Sequence, residues 1–216
     1  VRFRLGILLD AILDMEHTSI NPSILYFGTP VALITTLDSK GNVNIGPMSS
    51  VWGLGWTLML GLECASKTYQ NLVSQKECVV NIADPSLFQK VESIANLTGA
   101  DPVPEYKKSR YKYEPDKFTA GGFSKMASEC VRPPRIAECR LQLEAILKNV
   151  LVISDDPKEA GDVAAVEVRV VKVHADQNMV AKENHIDPTK WSPLIYNFRH
   201  YHGLDKALGK TFKAEI

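Results

Sequence analysis

Long apolar runs, an excess of either charge and paired cysteines are all missing from this chain, and each absence removes a class of function. No stretch reaches the roughly 20 apolar residues that a membrane-spanning helix needs, so no membrane partner is expected. Lys plus Arg and Asp plus Glu each number 25 in 216 residues, and without a basic surplus no nucleic-acid partner is expected. The four cysteines, at 64, 78, 130 and 139, include no C-x-x-C pair. Cys64 and Cys78 lie in strand-like apolar surroundings, where a free thiol behaves as a small hydrophobe. All four are read as reduced, which points to a cytoplasmic protein. No G-x-G-x-x-G follows a strand, so the common strand–turn–helix route to a dinucleotide is absent. Neither a nucleophile–base triad nor a carboxylate pair is evident, and there is no internal repeat.

What the chain does have is a series of strand signals joined by short turns. Val31–Leu37 reads as a buried strand, and Asp38-Ser39-Lys40-Gly41-Asn42 supplies turn chemistry. Val43–Ile45 runs back, with Pro47 expected to end the ladder. Thr57–Leu62 is a third strand. The period then changes: Ser66 can cap a helix to Gln75 with Tyr69, Leu72 and Val73 on one face. Cys78–Ala83 is a strand, and Asp84 or Ser86 caps a second helix over Leu87–Leu97. Gly99–Asp116 is a polar loop. Ile136–Ile153 reads as a strand pair bent near Lys148-Asn149, Val163–Ala175 alternates as a strand, and Leu194–Phe198 is the last. These connections are too short for repeated βαβ crossovers, so a mainly β, antiparallel barrel with peripheral helices is expected. Leu5, Leu8, Leu9, Ile12 and Leu13 recur at helical spacing. Residues 1–20 are therefore expected to form a helical extension and residues 21–216 the domain.

One corner of this arrangement suits an anion. Ser49 and Ser50 follow Pro47-Met48 at a strand exit, and Ser66-Lys67-Thr68 opens a helix whose first N–H groups lack intrahelical partners. Taken singly, Ser66 is a helix cap and Ser49-Ser50 a turn. One strand apart, they assemble hydroxyls, an ammonium and a helix terminus.

Several landmarks then carry a resemblance. They are Pro30–Thr36 with Asn44-Ile45-Gly46-Pro47-Met48-Ser49-Ser50, Lys67-Thr68 with Asn71, Glu77–Ile82, Gly122-Phe123, Pro134 to Glu138, and Pro193–Tyr196 with Tyr201. In this order the chain resembles the flavin reductase-like, FMN-binding split-barrel family. The resemblance implies a Greek-key-like split β-barrel that binds FMN non-covalently, with NADH or NADPH as electron donor. It implies a homodimer acting on a small molecule or on free flavin. It places Pro47, Met48, Ser49, Ser50, Val51 and Trp52 around the flavin, with Ser49, Lys67 and Thr68 near the phosphate. Asn71 either braces the helix or reaches the cofactor. An FMN-dependent oxidase or oxygenase on the same barrel, and an electron-transfer module without turnover, are the alternatives.

The chain departs from that pattern near its end, where Arg199-His200 stand before Tyr201 in place of a Gly-Gly segment. Arg199, His200 and Tyr201 carry three readings: contacts to the flavin or a nicotinamide phosphate, a polar strand end, or, through His200 and His202, the start of a metal site. Trp52 has two readings, stacking on the flavin or packing in a core or interface.

Overall fold

The computed structural model describes residues 16–153, 162–182 and 184–214. The expected helix over Leu5–Leu13 lies outside the described residues.

The principal strands are β1 (Phe27–Pro30), β2 (Ala32–Leu37), β3 (Val43–Met48), β4 (Val51–Leu54), β5 (Thr57–Glu63) and β6 (Glu77–Ile82). They continue with β7 (Leu141–Val152), β8 (Val163–Ala175), β9 (Ile195–Asn197) and β10 (His200–His202). Among the described residues the α-helices are α1 (Lys67–Gln75), α2 (Phe88–Ala95) and α3 (Lys117–Gly121). A seven-stranded sheet has the order β3-β2-β6-β7-β8-β5-β4, with every neighbouring pair antiparallel. A second sheet, β1-β9-β10, joins the two ends of the described chain.

The sheet closes around one core. Ala32 and Ile34 of β2 share a buried cluster with Leu60 and Leu62 of β5 and with Val166 and Val168 of β8, although β6, β7 and β8 separate β2 from β5 along the ladder. Only a curled sheet brings those strands face to face, and this is the split barrel. The strand period then forces a second core. Val31 and Leu33, next to Ala32 and Ile34, point to the other side, where they pack with Ile45, Val91, Ile94, Phe118 and Phe123. Helices α2 and α3 are held on the barrel by this layer.

Buried polar groups fix the chain between α3 and β7. Asn81 donates to the Leu33 carbonyl and accepts from the Ile136 N–H, both at 2.9 Å. Gln142 donates to the carbonyls of Ile136 and Cys139. All four cysteines are free thiols, and burial pushes the Cys78 thiol up to about 12.

Some local expectations change. β3 runs through Pro47, which pairs opposite Leu33. The strand lies at the sheet edge, where a missing N–H costs little. The expected strand pair over Ile136–Ile153 is the single strand β7, and the expected bend is a register shift between Leu147 and Asn149. Val51–Leu54 forms a hairpin with β5 around Gly55, whose φ of +58° suits glycine.

Candidate functional site

A cavity of about 590 Å³ opens where α1, the β3–β4 connection and the β9–β10 hairpin meet. That volume lies in the range of small-molecule and cofactor sites.

One end is built by a close approach of α1 to β3. Ser66 caps the helix, its Oγ accepting from the Tyr69 N–H at 3.2 Å. A side chain at Gly46 would put its Cβ 2.2 Å from Thr68 Oγ1, so only glycine lets the helix start lie this near the strand. Asn44 of β3 donates through Nδ2 to Thr68 Oγ1 at 3.0 Å. Its Oδ1 is buried and has no hydrogen-bond partner among the described residues. Gly99 leaves room for it, since a Cβ there would meet Oδ1 at 2.5 Å. Lys67 reaches Asp38 Oδ2 at 3.7 Å. Ser50 sits under Gly61, whose N–H donates to the Ser50 carbonyl at 2.7 Å. The Ser50 and Tyr26 hydroxyls share a hydrogen bond of 2.5 Å.

The other end is aromatic. Tyr26 meets Tyr196 edge-on at 5.6 Å, and Tyr196 meets Tyr201 at 5.7 Å. The Tyr201 hydroxyl donates to Glu92 of α2 at 3.0 Å, and burial together with that carboxylate holds the phenol well above its usual range. The β9–β10 turn has Phe198 and Arg199 at positive φ, +43° and +69°, which turns Arg199 toward the cavity. A third wall comes from the polar segment after Leu97. Lys107 pairs with Glu63 and lies over the rings of Tyr106 and Tyr111. Lys117, the first residue of α3, is buried, and burial with the nearby Lys107 charge pulls its ammonium down to about 8.

The structure brings together Pro47, Met48, Ser49, Ser50, Lys67, Thr68, Arg199 and Tyr201 around this cavity. Four other expected site residues lie elsewhere. Val51 opens β4 opposite Leu60, and the alternation of the strand sends it into the barrel core. Trp52 then faces outward and is 61% exposed. Asn71 points beneath the helix and donates to Thr36 Oγ1 at 3.2 Å, bracing α1 on β2. His200 is exposed, with its ring Nδ1 3.0 Å from the Phe198 carbonyl. Among the described residues, no group of three His, Cys, Asp or Glu is placed to hold a metal ion.

Tyr26, Glu92, Lys107, Tyr111 and Lys117 also line the cavity, and no local pattern in the sequence marks them. The only signal was compositional: the segment after Leu97 is unusually rich in Lys and Tyr. Chemically, the cavity pairs a hydroxyl- and ammonium-lined end with an aromatic end. It suits a flat, amphipathic ligand carrying an anionic tail.

Residues 24–205 match the family model of the flavin reductase like domain. The chain belongs to this family. Membership makes it a flavin-linked oxidoreductase domain. The flavin reductase like chain is 43% identical over 197 residues to the uncharacterized protein YdfE of Bacillus subtilis (strain 168), covering 91% of this chain and 93% of that one. Its fold is similar to that of flavoredoxin of Desulfovibrio vulgaris (Miyazaki F), with a TM-score of 0.73 at 18% identity over 93% of this chain and 99% of the other. It is also similar to nitrilotriacetate monooxygenase component B from Bacillus cereus, with a TM-score of 0.72 at 17% identity over 91% and 100%.

Proposed function

We propose that the cavity holds FMN non-covalently and that the protein is an NAD(P)H-dependent flavin reductase. The observation that carries this reading is the joining of two unlike ends in one cavity. The start of α1, with Ser66, Lys67 and Thr68, offers donors to a phosphate. Gly46 and Gly99 let the start of α1 pack closely on β3, which sets Lys67 and Thr68 at that corner, so the residues present fit a phosphorylated flavin. Pro47 to Ser50 run from the phosphate corner toward the Tyr26–Tyr196–Tyr201 wall, along the path a ribityl chain would take.

When bound, FMN supplies the redox chemistry. The chain's part is to hold the phosphate through Lys67 and Thr68, to orient the ring against the tyrosine wall, and to keep water from it. Arg199, carried into the cavity mouth by a strained turn, is placed to meet an anionic nicotinamide cofactor or substrate. The purified protein is expected to bind FMN with a Kd of micromolar or tighter, about −8 kcal/mol. NADH or NADPH added without oxygen is expected to bleach the bound flavin's 450-nm-region absorbance within turnover time. Binding without bleaching would leave an electron carrier or an oxidase. No binding well above micromolar FMN would end the proposal.

The reading includes a homodimer. Trp52, Leu54, Leu151 and Ile153 are each more than half exposed. By strand alternation and register Trp52 and Leu54 lie on the outward face of β4, and Leu151 and Ile153 on the same face at the end of β7. Gly61, in the same outward row, lines the cavity, so a second copy docked there would border the flavin. These are two exposed apolar pairs with Glu167 and Arg169 of β8 on the same face between them, and a second copy would cover them. Sedimentation equilibrium should give twice the chain mass, and Trp52→Glu should give the monomer.

A further inference from the structure

Three lysines line the cavity, and they differ in how their charge is met. Lys67 has Asp38 at 3.7 Å, and Lys107 has Glu63. Lys117 is the most buried of the three, 4% exposed, and its one side-chain hydrogen bond among the described residues is a long 3.4 Å donation to the Leu97 carbonyl. A buried cation normally has a counter-charge. The neighbouring acids are committed elsewhere. Asp116 caps α3 by accepting from the Thr119 N–H and hydroxyl, and Glu92 accepts from Tyr201. The charge that acts on Lys117 is the like charge of Lys107, and Tyr106, Tyr111 and Glu63 are the other titratable groups beside Lys107.

Lys67 and Lys117 converge on the same short strip. Lys117 meets the carbonyl of Leu97, and Gly99, two residues on, is packed so tightly on Lys67 that a Cβ would lie 3.2 Å from Lys67 Cγ. We infer that Lys117 is the unpaired cation of the phosphate site, neutralising a phosphomonoester dianion beside Lys67 and the start of α1. The inference rests on the FMN reading and names a residue that reading does not contain. The charge balance favours it: a phosphate near −2 above pH 7 meets a corner whose other ammonium is already shared with a carboxylate.

The low affinity of Lys117 for its proton adds a consequence. In the ligand-free protein it loses that proton near about 8, because it is buried and faces Lys107. A bound dianion raises its proton affinity, so FMN binds the protonated form better. FMN affinity is therefore expected to be full at pH 7 and to fall as pH rises through 8 toward 9.5, with proton uptake on binding.

The test compares native protein and Lys117→Met by fluorescence titration with FMN and with riboflavin, at pH 7.0 and 9.0. Lys117→Met should bind FMN at least about tenfold more weakly at pH 7.0, keep riboflavin affinity within about twofold, and lose the pH dependence. Its ligand-free melting temperature should not fall, because a buried unpaired charge has been removed. If native protein binds FMN and Lys117→Met binds it equally well, the inference is overturned while the FMN reading stands. An equal loss for FMN and riboflavin overturns it too, by assigning Lys117 to the ring or the fold. Absence of FMN binding by native protein removes the broader reading itself.

Discussion

Glu144→Ala is expected to lower the melting temperature by about 6–20 °C, the largest stability loss of any single side-chain truncation considered. Glu144 lies in β7 with its carboxylate fully buried. Its Oε1 accepts from the Glu129 N–H at 2.9 Å, and its Oε2 from the Cys130 and Val131 N–H groups at 2.6 and 3.1 Å. His174 Nε2 completes the set at 2.7 Å. Three consecutive backbone donors thus converge on one buried side chain, and alanine removes the acceptor of all three, the buried Val131 N–H among them. Breaking a buried pair of this kind costs about 3–5 kcal/mol. Each kcal/mol moves the midpoint by about 2–4 °C in a chain of this size. Glu129→Gln is the control. Its carboxylate is exposed and meets Lys172 at 2.9 Å, where solvent screens the pair, so the change should leave the melting temperature close to native. A Glu144→Ala midpoint within 2 °C of native would refute the anchoring role.

The same carboxylate sets an acid limit. Burial alone would raise the proton affinity of Glu144, but the backbone donors and His174 outweigh it and hold the carboxyl below its usual range. A group depressed in the folded state contributes stability that is present above its unfolded value, near 4.3, and is lost as pH falls through the folded value. Native protein should therefore lose stability steeply below about pH 4.5. Glu144→Ala should show a flatter acid limb from a lower start.

Much of the barrel can be read from the sequence because it rests on local rules. Asp38 accepts from the Lys40 and Asn42 N–H groups as turn chemistry requires, and Ser66 caps α1 through its hydroxyl. β8 alternates over its whole length. The lining of the cavity was legible only where it shares those rules. Ser49, Ser50, Lys67 and Thr68 sit at strand and helix ends, which sequence marks. Val51 and Trp52 illustrate the limit. A contiguous cofactor segment was expected through Trp52, but β4 begins at Val51, and a period of two sends one residue to the core and the next outward. Lys107, Tyr111 and Lys117 come from a polar stretch with no period. Long-range packing carries them to the cavity, with Lys117 held beneath Leu97 and α3 seated on α2 through Phe118 and Ile94.

Lys67→Ala combined with Thr68→Ala is expected to weaken FMN binding by roughly a hundredfold while leaving riboflavin binding within a few-fold. The two ligands differ only by the phosphate, so the ratio of their losses isolates the anion corner. A charge-assisted hydrogen bond contributes about 1.5–3 kcal/mol and a neutral one about 1 kcal/mol. Lys67 is discounted toward the lower figure because it is partly exposed and shared with Asp38. The sum is about 2.5 kcal/mol, and 1.4 kcal/mol is tenfold in affinity, so the loss approaches a hundredfold. The helix terminus itself survives the substitutions, since Ser66 still caps it, which is why binding should weaken rather than vanish. Thr68→Ala also strands the Asn44 Nδ2 that Thr68 accepts, so some stability is lost with it. Thr68→Ser keeps that acceptor and should restore most of the FMN affinity in a Lys67-intact background. Equal losses for FMN and riboflavin would move the phosphate away from α1. A selective loss of FMN in both this double variant and Lys117→Met would define the corner from two sides, with the paired ammonium of Lys67 and the unpaired one of Lys117 sharing one dianion.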